Sequence, residues 1–148
     1  MLRGGEGADN TAPPQPTLDR LPDLIADSRS AGTAVAVIGR MPDLDELPED
    51  TSRTTYRILQ ECLTNARKHA PGAPVHLSLT ARDEVLHLRV SNPLADLAIP
   101  DASGSRLGLV GIAERVGLVG GTLTHGVQDG QFVVDAALPW GAPAKEGA

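Results

Sequence analysis

Aromatic side chains are nearly missing from this chain. One Phe, one Tyr and one Trp make up 2% of its 148 residues. Any core must therefore be assembled from Ala, Val, Leu and Ile, and a hydrophobic content of 41% is enough for that. Cysteine is nearly missing too. Cys62 stands alone, which excludes an intrachain disulfide and fits a reducing cytoplasm. No apolar run approaches the roughly 18 residues of a membrane-spanning helix, and the opening MLRGGEGADN lacks the apolar segment of a secretory signal. A basic surplus is absent as well: 13 Lys and Arg against 19 Asp and Glu leave a net charge of −6. That argues against a nucleic-acid surface. It does not argue against an anionic nucleotide, because local donors and a metal outweigh a diffuse charge.

What the chain does contain is organised as one domain of modest core. Residues 1–16 are rich in Gly and Pro without periodicity and read as a linker. Met1 opening onto this stretch suggests a piece of a longer chain. Thr17 is placed to cap a helix over 18–30, where Leu18, Leu21, Leu24 and Ile25 recur at helical spacing. TAVAVIGR, 33–40, reads as a strand, and the acidic MPDLDELPED as a loop. A long helix should run from Pro48 or Glu49 to Ala70, acidic at its start, basic at its end, and stopped by Pro71–Gly72. Alternating Val75, Leu77, Leu79 and Leu86, Leu88, Val90 predict a hairpin of 74–81 and 85–91, turning at Arg82–Asp83–Glu84. Residues 92–106 have no period and read as a lid. A helix over 107–119 ending at Gly120–Gly121, strands at 122–127 and 131–138, and a disordered tail over 140–148 complete the order. Helices with one apolar face and half-exposed strands predict a two-layer α/β sandwich. There is no internal repeat.

The densest chemistry lies in YRILQECLTNARKHA, 56–70. Spacing of four puts Glu61, Asn65 and His69 on one helical face in successive turns, with Lys68 beside them. A carboxylate, an amide oxygen, a cation and an imidazole in one volume suit a magnesium-bound polyphosphate. Magnesium takes hard oxygen ligands and keeps several waters, so one amide oxygen from Asn65 plus phosphate oxygens would suffice. Glu61 could polarise an attacking group or hold magnesium waters. Lys68 offers a point charge, and His69 a hydrogen bond to phosphate. Each residue also has a bland explanation: a polar helix face for Asn65, an exposed carboxylate for Glu61, and dipole or carbonyl partners at the helix end for Lys68 and His69. Their joint spacing is what favours the phosphate site. Downstream, Gly108 and Gly111 bracket Leu109 and Val110 near a helix start, where backbone N–H groups can face an anion. Ordinary helix initiation explains the same glycines.

RILQECLTNARKHA, 57–70, closely resembles the N-box of bacterial sensor histidine kinases, in the form typical of the nitrate-sensor and desaturase-sensor subclass. GLVGIAERVGLVGG, 108–121, resembles that subclass's second glycine box, and GQFVVDAALP, 130–139, its closing strand. The resemblance spans about 17–139, the expected ATP-binding catalytic domain. It implies the Bergerat fold shared with gyrase, a heat-shock chaperone and mismatch-repair ATPases: a mixed sheet of about five strands with about three helices on one face. It further implies ATP and Mg²⁺, with Asn65 as the metal ligand, Glu61 as catalytic base or water-orienting group, and Lys68 and His69 near the phosphates. Asn92, Gly108, Leu109, Val110 and Gly111 complete the implied nucleotide site, the two glycines hinging the lid.

The chain departs from the family pattern at three places. Asn92, Pro93 and Leu94 stand where the first glycine box carries Asp and then glycines. Asn92 can still accept from the adenine amine, without charge assistance. Arg106–Leu107 precede Gly108 where a further Gly is usual, and Phe132 stands near a position where Thr is common in the wider superfamily. Weakened adenine affinity is expected. The phosphoacceptor histidine of the family lies on an upstream helix that this sequence does not carry, so the chain alone should not phosphorylate itself. The implied partners are that dimerisation helix and a response regulator with a LuxR-type DNA-binding output, in the cytoplasm, beneath a parent kinase that can be membrane-anchored. Rival readings are a serine kinase of the anti-sigma-factor type, a degenerate module binding partners without ATP turnover, and a free-standing ATPase.

Overall fold

The computed structural model describes residues 16–44, 46–93 and 105–140, with the backbone alone at 105–108. Most of the expected linker, residues 94–104 of the expected lid, and residues 141–148 of the expected tail lie outside the described residues. The elements are a 3₁₀ turn at Leu18–Arg20, α1 (Leu21–Ser30), β1 (Ala34–Val37), α2 (Glu49–His69), β2 (Pro74–Arg82), β3 (Val85–Pro93), α3 (Ser105–Leu118), β4 (Thr122–Gln128) and β5 (Gln131–Pro139).

The five strands form one mixed sheet in the order β1-β2-β3-β5-β4. Only β1 and β2 are parallel, and α2 supplies the crossover such a pair requires. The other pairings are antiparallel. Leu77 and Leu79 of β2, Leu86, Leu88 and Val90 of β3, and Val134, Ala136 and Leu138 of β5 are buried and join one core with Leu59, Cys62, Leu63 and Ala66 of α2. Ser78, Thr80, Arg89 and Asp135 alternate with them onto the opposite, uncovered face. Across the covered face, α1 lies over β1, α2 over β3 and β5, and α3 over β4. This is the expected two-layer sandwich with three α-helices on one side.

Local chemistry explains most boundaries. The two-residue turn Asp83–Glu84, with φ of +56° and +63°, gives the tight hairpin between β2 and β3, so Arg82 belongs to the strand rather than to the turn. Asp129–Gly130 does the same between β4 and β5. Gly121 admits no side chain, since a Cβ there would sit 2.5 Å from the Ala137 carbonyl oxygen. That contact seats the end of α3 against β5.

Two expectations are corrected. The strand expected over 33–40 is only Ala34–Val37, because Gly39 turns the chain out at φ +76°. Thr17 occupies the capping position but does not cap: its hydroxyl bonds the Asp19 carboxylate, and the free N–H of Leu18 instead donates to Ser52 Oγ on α2 at 2.8 Å. The long-range bond succeeds because Ser52, on the first turn of α2, is buried directly beneath.

Candidate functional site

The strand registers decide what meets what. Four residues separate α2 from β2, and β2 begins alongside the end of β3, with His76 opposite Ser91. The last turn of α2 and Asn92 therefore lie at the same end of the sheet. Asn92 is opposite Phe132 at the start of β5. At the far end, Thr122 pairs with Ala137, which places the close of α3 there. A helix of 14 residues spans about 21 Å, so α3 returns its first turn to the Asn92 end.

The two flanks of α2 are distinct. Ser52 and Tyr56 face α1. Ser52 accepts from Leu18, and the Tyr56 hydroxyl is raised above its ordinary pKa by burial, with Asp27 adding to the effect. At about 100° per residue, Glu61 and Asn65 lie on roughly the opposite flank, the side on which α2 packs against α3. Asn65 is 7% exposed, and its Nδ2 finds no hydrogen-bond acceptor. A buried donor without a partner costs about 1–3 kcal/mol, a cost that an acceptor on a bound ligand would relieve. Glu61 and His69 are half-buried and Lys68 is exposed. Asn92 is buried at 7%, and its Nδ2 donates to the Pro93 carbonyl oxygen at 3.2 Å. That bond leaves Oδ1 as the group able to accept from a ligand.

The glycine segment is placed differently from expectation. The helix begins at Ser105, not 107, so Gly108 is its fourth residue and Gly111 its seventh. Only the first four N–H groups of a helix lack internal partners. Gly108 is thus the last that can offer a free N–H, and Gly111 is beyond that range. Leu109 is fully buried in the core, so its side chain is withheld from any ligand, whereas Val110 is 48% exposed. Arg106 and Leu107 fall in the first turn, and Leu94 lies outside the described residues.

Cys62 sits between these groups and the sheet. Burial pushes its thiol up to about 12, with the neighbouring Glu61 charge adding to the shift, so it is an inert core residue rather than a nucleophile. Among the described residues no three His, Cys, Asp or Glu side chains cluster to hold a metal. A metal at Asn65 would therefore need most of its oxygens from a ligand. Nucleotide phosphates supply such oxygens, and the unpartnered Nδ2 is a donor that suits a phosphate oxygen rather than the metal itself. No helix among the described residues is long and apolar enough to cross a membrane.

Two curated relatives match the chain. The signal transduction histidine-protein kinase/phosphatase UhpB of Salmonella typhimurium is 38% identical over 97 residues, 66% of this chain and 19% of that protein. The sensor histidine kinase YxjM of Bacillus subtilis is 34% identical over 100 residues, 67% of this chain and 24% of that protein. The chain is a relative of the sensor histidine kinases. It spans about a fifth to a quarter of the length of the curated relatives it matches. No family model matches.

Solved structures give the same fold for this histidine-kinase relative. The catalytic domain of histidine kinase ThkA, in a nucleotide-free form, superposes with a TM-score of 0.60 at 14% identity, covering 81% of this chain and 93% of that one. The blue-light activated histidine kinase of Erythrobacter litoralis EL346 gives a TM-score of 0.64 at 18% identity over 84% and 42%. Full-length ShkA in complex with AMPPNP gives 0.59 at 21% over 84% and 30%. The domain thus has the fold of histidine-kinase catalytic domains.

Proposed function

We propose that residues 17–139 are the ATP-binding catalytic domain of a sensor histidine kinase. The domain would transfer the γ-phosphoryl group of Mg-ATP to a histidine on a dimerisation helix outside this chain. From there the phosphoryl group passes to an aspartate of a response regulator, with a LuxR-type output, in the cytoplasm. The observation that carries this reading is the buried, unpartnered amide of Asn65 on the α3-facing flank of α2, at the end of the sheet where Asn92 and the first turn of α3 also lie.

In this reading Asn65 turns its amide oxygen to the metal and thereby fixes the triphosphate along the flank of α2. Bound magnesium would neutralise phosphate charge as it develops in the transition state. Glu61, one turn earlier, orients or deprotonates the incoming imidazole. Lys68, exposed at the helix end, supplies a mobile positive charge to the phosphate oxygens, and His69 borders the same turn. Gly108 presents the last free N–H of α3, and Asn92 holds its carbonyl oxygen toward the base. Positioning and charge neutralisation account for most of the expected rate, because phosphoryl transfer needs little covalent help from the protein.

The test is titration with a fluorescent ATP analogue with and without Mg²⁺, followed by transfer of labelled γ-phosphate to a separately supplied dimerisation-helix domain of the parent kinase. Magnesium-dependent micromolar binding and a histidine-linked, acid-labile product are expected. Absence of binding up to millimolar nucleotide overturns the catalytic reading in favour of a degenerate interaction module, for which the Asn92–Pro93 departure is the motive. Phosphorylation of a serine in an anti-sigma antagonist would favour the serine-kinase rival.

A further inference from the structure

We infer that Phe132, the one phenylalanine of the chain, is the platform against which the nucleobase lies, beside the hydrogen-bonding edge of Asn92. This rests on the nucleotide reading above. The register places Asn92, Phe132 and Val127 in one row across β3, β5 and β4. The row lies on the helix-facing side, since Val90 and Val134, two residues along each strand, are buried beneath the helices. Core and open surface meet along it. Asn92 is buried, Phe132 is half-buried against the core, and Val127 is 53% exposed. Phe132 keeps part of its surface exposed, and among the described residues its ring neighbour is the exposed imidazole of His125, whose centroid stands 6.1 Å away at a tilt of 44°.

Directly opposed residues on neighbouring antiparallel strands hold their Cβ atoms about 4.5–5.5 Å apart. A purine is broader than that gap. A base whose amine donates to Asn92 Oδ1 must therefore lie on or against the neighbouring ring. The chemistry of the pair is complementary. Asn92 offers a neutral acceptor, weaker than a carboxylate, and the ring offers dispersion and a quadrupole to a flat heteroaromatic group. The substrate class read by this row is a purine with an exocyclic amine, held by one hydrogen bond and one aromatic face. A triphosphate without a base has nothing to gain from it.

Isothermal titration of the full chain with Mg-ATP and with Mg-tripolyphosphate separates these contributions. Phe132→Leu keeps an apolar packing group and removes the π face. It should raise the Kd for Mg-ATP by about three- to tenfold and leave that for Mg-tripolyphosphate unchanged. Phe132→Tyr should stay within about twofold of the parent for both ligands. Circular dichroism melting of each variant reports that the fold is kept, and Leu serves in place of Ala for that reason. Should Phe132→Leu bind Mg-ATP as tightly as the parent, or more tightly, the ring is a bystander or an obstruction and the inference falls while the catalytic reading stands. Should the unaltered chain bind neither ligand, the nucleotide reading itself falls and takes this one with it.

Discussion

Replacing Asn65 with Leu separates what this residue does for the fold from what it does for a ligand. The side chain is 7% exposed, and its Nδ2 has no acceptor. In the nucleotide-free domain that donor carries a desolvation cost of about 1–3 kcal/mol. Leucine has the same branching and number of side-chain heavy atoms, is somewhat bulkier, and carries no polar atom. It is also better than asparagine in a helix interior by roughly 0.5 kcal/mol. The free variant should therefore be more stable than the parent by about 1.5–3.5 kcal/mol. At roughly 3 °C per kcal/mol for a domain of this size, its Tm should rise by about 4–10 °C. Ligand reverses the ranking of gains. Mg-ATP at a hundred times its Kd stabilises the parent by about 2.7 kcal/mol, and should add nothing to Asn65→Leu. Differential scanning fluorimetry of both chains, with and without Mg-ATP, measures all four values. Two results would refute the reasoning. A free Asn65→Leu chain melting several degrees below the parent would mean that the amide supports the fold. An equal Mg-ATP shift in both would mean that the amide touches no ligand.

Three other perturbations follow. Glu61→Gln should lower phosphotransfer to a dimerisation-helix domain by about 10²–10⁴-fold with little change in nucleotide Kd, since it removes proton transfer and leaves the metal ligand; unchanged transfer rates would assign Glu61 to the surface. The Cys62 thiol is raised in the fold from its ordinary value of 9.0 to about 12. Above pH 9 the unfolded chain loses that proton while the folded chain keeps it, so stability is full below pH 9 and falls by up to about 1.4 kcal/mol per pH unit above it. Urea unfolding between pH 8 and 10 should show this slope in the parent and a flatter one in Cys62→Ala. Ser52→Ala strands the buried N–H of Leu18, which donates to Ser52 Oγ at 2.8 Å. It should cost about 1–2 kcal/mol by denaturant titration and leave Mg-ATP affinity as it was, since Ser52 faces away from Asn65.

Local pattern made some of this legible and not the rest. The long helix was expected from Pro48 or Glu49 to Ala70 and runs Glu49–His69, because acidic start, basic end and a Pro–Gly stop all act within a turn of the boundary. Both hairpins were expected for the same reason: alternation and turn residues are short-range signals. Thr17 misled because its hydroxyl turns to the nearby Asp19 carboxylate, while the group that accepts the Leu18 N–H, Ser52, is 34 residues away and invisible to any local rule. The burial of the Leu109 side chain was not legible because a residue at a helix start can face either a ligand or the core, and only packing chooses.

The sequence by itself determined the elements, their polarity and the cluster on α2, since helical spacing alone puts Glu61 and Asn65 on one flank. The tertiary structure decided that this flank faces α3 rather than α1. It buried the Asn65 amide without a partner, and it set Asn92 and Phe132 side by side although 40 positions separate them in the chain. Strand order and register arise from how whole faces bury against one another, and no window of neighbouring residues contains that information.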